Sequence, residues 1–154
     1  MKKIVFYASM TAILCTVLHS KTVAQSQGKP SFNHFALYVV DLTKSTTFYK
    51  EVVGLDTIPE PFKDGRHTWF RIGEHSQLHI IQGAREVSPH DMNTHMCFSV
   101  ASVEDFVARL NKLNIKYTSA RGVPQTITTR TDGVRQIYFQ DPDNYWVEIN
   151  DDKY

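Results

Sequence analysis

The sequence predicts an α+β fold of two βαβββ modules, because one pattern of strands and a helix occurs twice along the chain. In each copy, a strand that begins with histidine is followed by an amphipathic helix and then by three strand-like runs. The first module covers residues 31–84, an aperiodic linker covers 85–93, and the second module covers 94–150. Together the two modules have the size of one ordinary domain.

In the first module, residues 34–39 are predicted to form a strand. The helix that follows is expected to begin after Asp41 and to end at Gly54, since glycine is the commonest residue just beyond a helix. Three further strands are predicted at about 55–60, 66–72 and 76–82.

In the second module, the strand covers residues 95–100, and Ser102 with Asp105 has the spacing of a helix-capping box. The helix shows apolar residues at helical spacing on one face, namely Val103, Phe106, Val107, Leu110 and Leu113. Three strands are then predicted at about 116–121, 133–140 and 144–150, with 141–144 as the last turn.

Alternation along these strands gives the predicted sheet one apolar and one polar face. In the first strand, Phe35, Leu37 and Val39 point to one side, whereas His34 and Ala36 point to the other. The second module repeats this with His95, Cys97 and Ser99 on the polar face of one strand and Trp146, Glu148 and Asn150 on that of another. We expect helices on the outer, apolar face and a curved polar face that forms a cup.

Four side chains on the polar face occupy equivalent positions in the two modules. His34 corresponds to His95 at the start of the first strand, and His79 corresponds to Glu148 in the last strand. Three imidazoles and one carboxylate suit one divalent transition metal such as zinc, nickel, iron or manganese. The other histidines have no repeat partner and are expected to be solvated: His67, His75 and His90.

The amino terminus has the pattern of a secretory signal peptide. Two lysines precede the apolar stretch 4–18, which is shorter than the 20 or so residues that span a bilayer. Small residues at Thr22 and Ala24 predict cleavage after Ala24, an exported protein (periplasmic or secreted) and no membrane attachment after cleavage. An uncleaved membrane anchor is the alternative. The mature chain would keep Cys97 as its single cysteine, which excludes an intramolecular disulfide.

The charge of the chain argues against nucleic acid as a partner. The formal net charge is +1, but three lysines lie in the first 24 residues, and acidic residues outnumber basic ones in the remainder. A near-neutral body lacks the basic surface that nucleic acid requires, so we expect a small molecule as the ligand.

Three segments of the chain resemble the vicinal oxygen chelate superfamily, which includes glyoxalase I, fosfomycin-resistance thiol transferases and extradiol dioxygenases. They are NHFALYVVDL at 33–42, FYKEVVGL at 48–55 and FQDPDNYWVE at 139–148. The resemblance extends over about residues 31–150. It implies paired βαβββ modules around a metal held by His34, His79, His95 and Glu148.

For function, the resemblance implies a metal-dependent enzyme of the glyoxalase-like lyase or isomerase type. Its substrate would be a small vicinal-oxygen (α-carbonyl or hydroxy) compound whose carbonyl binds the metal, and Glu148 would be the catalytic base. In bacterial glyoxalase I, the position that matches His79 is a glutamate. The resemblance also implies a homodimer, and the site could form within one chain or across two.

Two alternatives to the lyase remain open. The extradiol dioxygenases bind Fe²⁺ through two histidines and one glutamate, which would be His34, His95 and Glu148, but His79 would then fill a position that oxygen needs. A non-catalytic binding protein on the same fold, similar to the bleomycin-resistance proteins, would lack the metal.

Several further side chains are candidates for contact with substrate. Tyr138 precedes Glu148 by ten residues, as a tyrosine does in the fosfomycin enzymes, and Trp146 and Cys97 share the polar face. Segment 121–133 could be a lid that brings Arg121 or Arg130 to an anionic substrate, or an ordinary solvated loop.

Overall fold

The computed structural model describes residues 29–153, and the fold is that of residues 32–153. The predicted signal peptide, 1–24, and its cleavage site lie outside the described residues. Within residues 29–153, none of the helices has the length and apolar character needed to cross a membrane.

Each module contains four strands and one helix. The first consists of β1 His34–Val39, α1 Leu42–Thr47, β2 Thr57–Ile58, β3 His67–Arg71 and β4 Gln77–Gln82, and α1 continues directly as a π-helical turn, Phe48–Val53. The second consists of β5 His95–Ser99, α2 Val103–Lys112, β6 Thr128–Thr129, β7 Arg135–Gln140 and β8 Trp146–Asn150.

The two modules form two four-stranded mixed sheets with the same topology. The strand orders are β1-β4-β3-β2 and β5-β8-β7-β6. In each sheet the first and last strands of the module pair in parallel, and the other neighbours are antiparallel. The predicted α+β fold of paired βαβββ modules is confirmed.

The helix boundaries follow the predicted signals. The Asp41 side chain accepts a hydrogen bond from the Lys44 amide at 3.0 Å, and the helical segment ends at Gly54 with a left-handed φ of 93°. At α2, the Ser102 hydroxyl accepts a hydrogen bond from the Asp105 amide at 3.1 Å. Both helices therefore begin at a side chain that satisfies an otherwise unpaired backbone N–H.

The predicted strand over 116–121 is wrong. Only Thr118 pairs with β7, through two backbone hydrogen bonds with Tyr138. The chain then turns away because the Ser119 amide bonds to the Val123 carbonyl across a turn in which Gly122 has a φ of 76°. Residues 128–129 return to pair with β7, so two separate segments share its edge.

A shared hydrophobic core joins the two modules. The Phe139 ring of β7 lies 5.9 Å from the rings of both Phe48 and Phe106, which belong to the helical segments of different modules. The largest fully buried side chains come from both sheets and helices and include Tyr49, Phe70, Leu78, Leu110, Ile137 and Ile149. The helices thus cover the apolar face of the sheets, as the sequence predicts.

The turn between β7 and β8 also fastens the second module to the first. Buried Asp143 accepts hydrogen bonds from the Val40 amide at 2.7 Å and from the Ser45 hydroxyl at 2.8 Å. Asp141 accepts a hydrogen bond from the Tyr49 hydroxyl at 2.9 Å, and burial raises the pKa of Asp141 to about 6. Buried carboxylates of this kind need such partners to offset their desolvation.

Candidate metal and substrate site

The registers of the two sheets confirm that the candidate ligands occupy equivalent places. In each sheet, one row of residues is paired across three neighbouring strands. These residues are Ala36, His79 and Trp69 in the first sheet and Cys97, Glu148 and Tyr138 in the second. His34 lies two residues before Ala36 and His95 two residues before Cys97, each on the same face of its strand as the row.

The first half-site consists of His34 and His79. Their rings stack with centroids 4.3 Å apart and an angle of 11° between planes. The other face of the His79 ring stacks on Trp69 at 4.0 Å and 4°. His79 is thus held between two rings, whereas His34 is exposed at the end of its strand.

Hydrogen bonds orient both rings of the first half-site. His34 Nδ1 lies 2.8 Å from Asn33 Oδ1, and His79 Nε2 lies 2.9 Å from Gln77 Oε1. An amide oxygen accepts, so each of these nitrogens carries a proton, and in a neutral ring the other nitrogen has the lone pair that can bind a metal. Burial, with a smaller effect of the neighbouring His34, lowers the pKa of His79 and favours the neutral form that binds metals.

The second half-site consists of His95 and Glu148. His95 Nε2 lies 2.9 Å from Glu148 Oε2. His95 Nδ1 lies 2.8 Å from the Met92 carbonyl oxygen, to which it must donate. Nε2 therefore faces the carboxylate, and a cation between the two groups would satisfy both.

Three side chains hold the Glu148 carboxylate. Tyr138 donates to Oε2 at 2.5 Å and Asn150 donates to Oε1 at 2.9 Å, while the Cys97 thiol also bonds to the carboxylate. Burial by itself would raise the pKa of Glu148, but the bonds from Tyr138, Asn150 and Cys97 and the charge of His95 lower it overall. The carboxylate is therefore ionised at neutral pH, as a metal ligand must be.

The remaining groups near Glu148 are protonated at neutral pH. Burial and the bond to Glu148 raise the pKa of Tyr138 well above its usual value. Burial and the charge of Glu148 raise the pKa of the Cys97 thiol to about 12. Cys97 is thus a poor nucleophile, since the thiolate is the reactive form.

The structure brings the four candidate ligands together as two pairs. Within residues 29–153, no group of three or more His, Cys, Asp or Glu side chains is arranged to hold a metal ion. The edge strands β1 and β5 adjoin along a groove of about 250 Å³ that Phe35 and Met96 line, and in the described part of the chain these strands do not hydrogen-bond to each other. One chain thus presents two separate half-sites.

The segment 121–133 is more closely attached than a lid. Residues 128–129 belong to the sheet as β6. Arg130 donates to Asp132 at 2.5 Å and lies 3.8 Å from Asp152, so acidic side chains already neutralise it. Arg121 lies in the exposed turn before Pro124.

Two of the three histidines expected to be solvated are in fact packed against aromatic rings. His67 is 15% exposed, bonds to Asp64 at 2.9 Å and has its ring centre 4.8 Å from that of Phe62. His90 stacks on Tyr145 at 4.0 Å, whereas His75 is 87% exposed, as expected. His67 and His90 are therefore partly buried, and only His75 of the three is as fully solvated as expected.

Sequence reasoning missed the side chains that position the ligands. Gln77 and Asn150 each lie two residues from a candidate ligand in the same strand, and Trp69 lies opposite His79 on the neighbouring strand. Side chains two residues apart in a strand lie on the same face, so the sequence could have indicated that Gln77 lies beside His79 and Asn150 beside Glu148. The position of Trp69 opposite His79 follows from the pairing of β3 with β4, which the sequence does not specify.

Comparisons with known proteins agree with this fold. The family model described as "Glyoxalase/Bleomycin resistance protein/Dioxygenase superfamily" matches residues 31–149. The metallothiol transferase FosB of Staphylococcus epidermidis is 28% identical over 129 residues, which cover 78% of this chain and 80% of FosB.

Two solved structures extend the comparison. Oxidase ChaP-H1 has a TM-score of 0.66 and 25% identity, with 82% of this chain and 98% of the oxidase chain covered. A lactoylglutathione lyase from Agrobacterium tumefaciens has a TM-score of 0.58 and 21% identity, with 79% and 93% covered, which is evidence for the fold alone.

Proposed function

Because the chain belongs to the glyoxalase/bleomycin resistance protein/dioxygenase superfamily, we propose that it is an exported, divalent-metal-dependent enzyme. Its reaction would be of the glyoxalase-like lyase or isomerase type, on a small vicinal-oxygen substrate. The ligands are His34, His79, His95 and Glu148, and Glu148 is also the base. The FosB relative, a metallothiol transferase, supports metal-assisted chemistry on this fold.

The observation that carries the proposal is the geometry of His95 and Glu148. Nε2 and Oε2 face each other at 2.9 Å, and the bond from Nδ1 to the Met92 carbonyl fixes the ring orientation. Metal-bound histidines usually donate their other ring N–H to a carbonyl or carboxylate oxygen, as His95 Nδ1 does to Met92. In a hydrogen-bonded ion pair a proton on Nε2 bridges this distance, and a bound divalent ion would take the place of that proton between Nε2 and Oε2.

The donor types of the two half-sites fit a divalent transition ion, with one adjustment. Two stacked, parallel rings cannot both direct their in-plane lone pairs at one ion. Because Trp69 confines the ring of His79, the exposed ring of His34 must rotate for both to ligate one ion.

The ion would act as a Lewis acid that polarises a substrate oxygen. Glu148 would take the proton from the adjacent carbon, and Tyr138 and Asn150 would hold its carboxylate in place.

The separation of the half-sites favours a site completed by a second chain. In a twofold dimer, the first half-site of one protomer can face the second half-site of its partner, which generates two equivalent sites. Large apolar side chains are exposed beside the first half-site, with Tyr38 52% and Phe62 59% exposed. Exposure of this kind is typical of a surface that another protein covers.

Metal analysis of single and mixed variants tests the site and its assembly. We expect about one equivalent of metal per wild-type chain and little in His79→Ala or Glu148→Ala. If the site spans two chains, mixing the two variants after dissociation restores one intact site per mixed dimer, or about a quarter of the wild-type metal content.

His75→Ala is the matched control, because His75 is a solvated histidine of the same module. Recovery in the mixture supports the two-chain site, and no recovery assigns the site to one chain. Wild-type protein without metal, even after reconstitution, would exclude the enzyme and leave the non-catalytic binding protein.

The catalytic role of Glu148 is tested separately from its ligand role. If the Glu148→Gln variant keeps its metal and still turns over substrate at the full rate, Glu148 is excluded as the base.

Export is tested by the mass of the mature protein recovered from outside the cytoplasm, which should begin at Gln25. A mass that includes Met1 would favour the uncleaved anchor.

A second function, an Fe²⁺ oxygenase, is favoured by the state of His79. Its Nε2 is bonded to Gln77 and its ring is stacked on both faces. If His79 does not ligate, the remaining set of two histidines and one carboxylate is the one that non-haem Fe²⁺ oxygenases use. The similarity to oxidase ChaP-H1 supports the same alternative. His79→Ala that retains iron and consumes oxygen with a catechol would establish it against the lyase.

A further inference from the structure

A polar recess of about 370 Å³ lies beside the first half-site, at the end of the sheet where β3 turns into β4. Its lining includes Asn33, Arg71, Glu74, His75, Ser76 and Gln77. The groove between β1 and β5 is mainly apolar, whereas this recess is bounded mainly by hydrogen-bonding groups. It is therefore suited to a polar ligand, because such groups lose free energy when an apolar ligand displaces their water.

Strand register places Arg71 on the same face as the candidate ligands. His34 pairs with Gln77, and Gln77 pairs with Arg71, so these three residues form a row across β1, β4 and β3. In β4, this row lies two residues from His79, a distance of about 7 Å that one small molecule can span. The row belongs wholly to the first module, so its relation to His79 is the same whether one chain or two complete the site.

The second module has no arginine in the equivalent row. That row consists of His95, Trp146 and Gln140, so Gln140 occupies the place of Arg71. The duplication of the fold therefore does not account for an arginine at this position.

Arg71 also differs from the arginines that stabilise the fold. Arg66 and Arg109 donate to backbone carbonyl oxygens, and Arg130 and Arg135 donate to carboxylates. Arg71 is exposed, and none of the ion pairs within residues 29–153 includes it. Its guanidinium is permanently charged and is therefore available to an anion from outside the chain.

The two amides beside Arg71 offer donors rather than acceptors. The Asn33 oxygen accepts a hydrogen bond from His34, and the Gln77 oxygen accepts one from His79. The NH₂ groups of these amides are the donors that remain for a ligand. A ligand in the recess would thus contact the same amides that orient the histidines of the first half-site.

The other lining residues are compatible with an anion. Glu74 is the one carboxylate among the described residues of the lining, but it is 88% exposed and lies 3.5 Å from His75. A Cβ at Gly73 would lie 2.5 Å from Ser76 Oγ, so the glycine leaves the space that this hydroxyl occupies. A guanidinium, two amides and a hydroxyl are the donors that oxyanions accept from.

We propose that the polar recess binds an anionic group of the substrate, a carboxylate or a phosphate-type oxyanion, through Arg71, while the vicinal oxygens of the same molecule reach the metal ligands. The inference rests on the proposed function for the chemistry at the vicinal oxygens, but anion binding in the recess can be tested without metal. It assigns to Arg71 the role for which the sequence suggested Arg130, which is already paired with Asp132.

The first test is an NMR titration of the isotope-labelled, metal-free protein with inorganic phosphate at constant ionic strength. We expect saturable shifts of the side-chain N–H signals of Arg71, Asn33 and Gln77, with a Kd of about 1–10 mM. Arg71→Gln should weaken binding at least about tenfold. Arg71→Lys should weaken it about threefold, because lysine keeps the charge but lacks the planar fork of donors. Arg85→Gln is the matched control, since Arg85 is an exposed arginine outside the lining, and it should leave binding unchanged.

The second test asks whether the bound anion belongs to the substrate or is a free ion. α-Ketoglutarate and α-ketovalerate share an α-keto acid group that can reach the metal, but only α-ketoglutarate carries a second carboxylate at its other end. We expect the metal-loaded wild-type protein to bind α-ketoglutarate about tenfold more tightly, and this difference to disappear in Arg71→Gln. If the wild type binds phosphate but binds the two acids equally, the recess holds a free ion and the assignment to the substrate is overturned.

Two results of the phosphate titration would overturn the inference: no saturable binding by the wild type, or equal binding by the wild type and Arg71→Gln. If Arg71→Gln does not fold, Arg71→Lys keeps the test decisive, and its unchanged affinity would count against the site. Failure of the proposed function looks different, because the protein would then bind phosphate through Arg71 but no metal. Failure of the inference alone gives a protein that binds metal and has no anion site at Arg71.

Discussion

The two half-sites occupy the same positions in the two modules but differ in chemistry. In the first, His79 is held by ring stacking between Trp69 and His34, and burial lowers its pKa. In the second, the Glu148 carboxylate is held by hydrogen bonds from Tyr138 and Asn150. The first half-site therefore consists of stacked aromatic rings, whereas the second contains a hydrogen-bonded carboxylate.

In the proposed metal site, the two modules would therefore contribute different chemistry from equivalent positions. Strand register fixes where the side chains lie, and it is the same in both modules. The neighbour across the strand pair then decides what each ligand can do, because Trp69 supplies a ring where Tyr138 supplies a hydroxyl.

The largest expected effect separates the half-sites by metal affinity. Structural zinc sites gain about 10–16 kcal/mol from four ligands, or about 3 kcal/mol per ligand, which is roughly 100-fold in Kd. His79→Ala should therefore weaken binding about 100-fold, and Glu148→Ala more, because it also removes the one negative charge. Competition with a chromogenic chelator measures both. Equal losses, or a larger loss for His79→Ala, would contradict the division of roles.

The next effect compares the two turns that precede the last strands of the modules. Asp143 in the second module is buried and bonds to Val40 and Ser45, whereas its counterpart Glu74 is 88% exposed and lies 3.5 Å from His75. Asp143→Ala leaves the two donors unpaired and should lower the free energy of unfolding by about 3 kcal/mol. Glu74→Ala should change it by less than about 0.5 kcal/mol. Urea denaturation of both variants is the measurement, and similar midpoints would show that the turn does not fasten the modules.

A pH effect of similar size comes from Asp141 in the same turn. Burial raises its pKa from 3.8 to about 6, so the folded state binds more protons than the unfolded state between these values. Its contribution to stability is full at low pH, falls as pH rises through this window, and is lost above about pH 6, by up to about 3 kcal/mol.

Asp141→Asn provides the comparison for this pH effect. Asparagine keeps an oxygen for the amides of Asp143 and Tyr145, which share one carboxylate oxygen of Asp141. Urea unfolding at several pH values should show that the difference between wild type and variant changes with pH in that window. A constant difference would mean that Asp141 titrates normally.

The smallest expected effect concerns the Thr118 hydroxyl, which is buried and has no hydrogen-bond partner among the described residues. Thr118→Val removes the unpaired hydroxyl and should raise the free energy of unfolding by about 1 kcal/mol. Thr128→Val is the matched control, because the Thr128 hydroxyl accepts a hydrogen bond from the Ala120 amide at 2.9 Å and its loss should destabilise by a similar amount. Thermal unfolding distinguishes them by opposite shifts of Tm. A decrease for Thr118→Val would indicate that the hydroxyl has a partner in solution.

Much of the fold could be predicted because its signals are local. The cap at Asp41, the left-handed Gly54 and the alternation in β1 each depend on a few neighbouring residues. The strand predicted over 116–121 was wrong because its pairing depends on whether the chain stays beside β7, and the turn at Gly122 takes it away.

The sequence by itself determined the repeat, the four candidate ligands and their equivalence, since a period of two and a constant spacing place like residues at like positions in the two sheets. Tertiary structure decided how those candidate ligands are grouped and which rings and hydroxyls hold them. The physical reason is that strand pairing and module packing bring together residues far apart in the chain. Such contacts leave no mark in the local pattern.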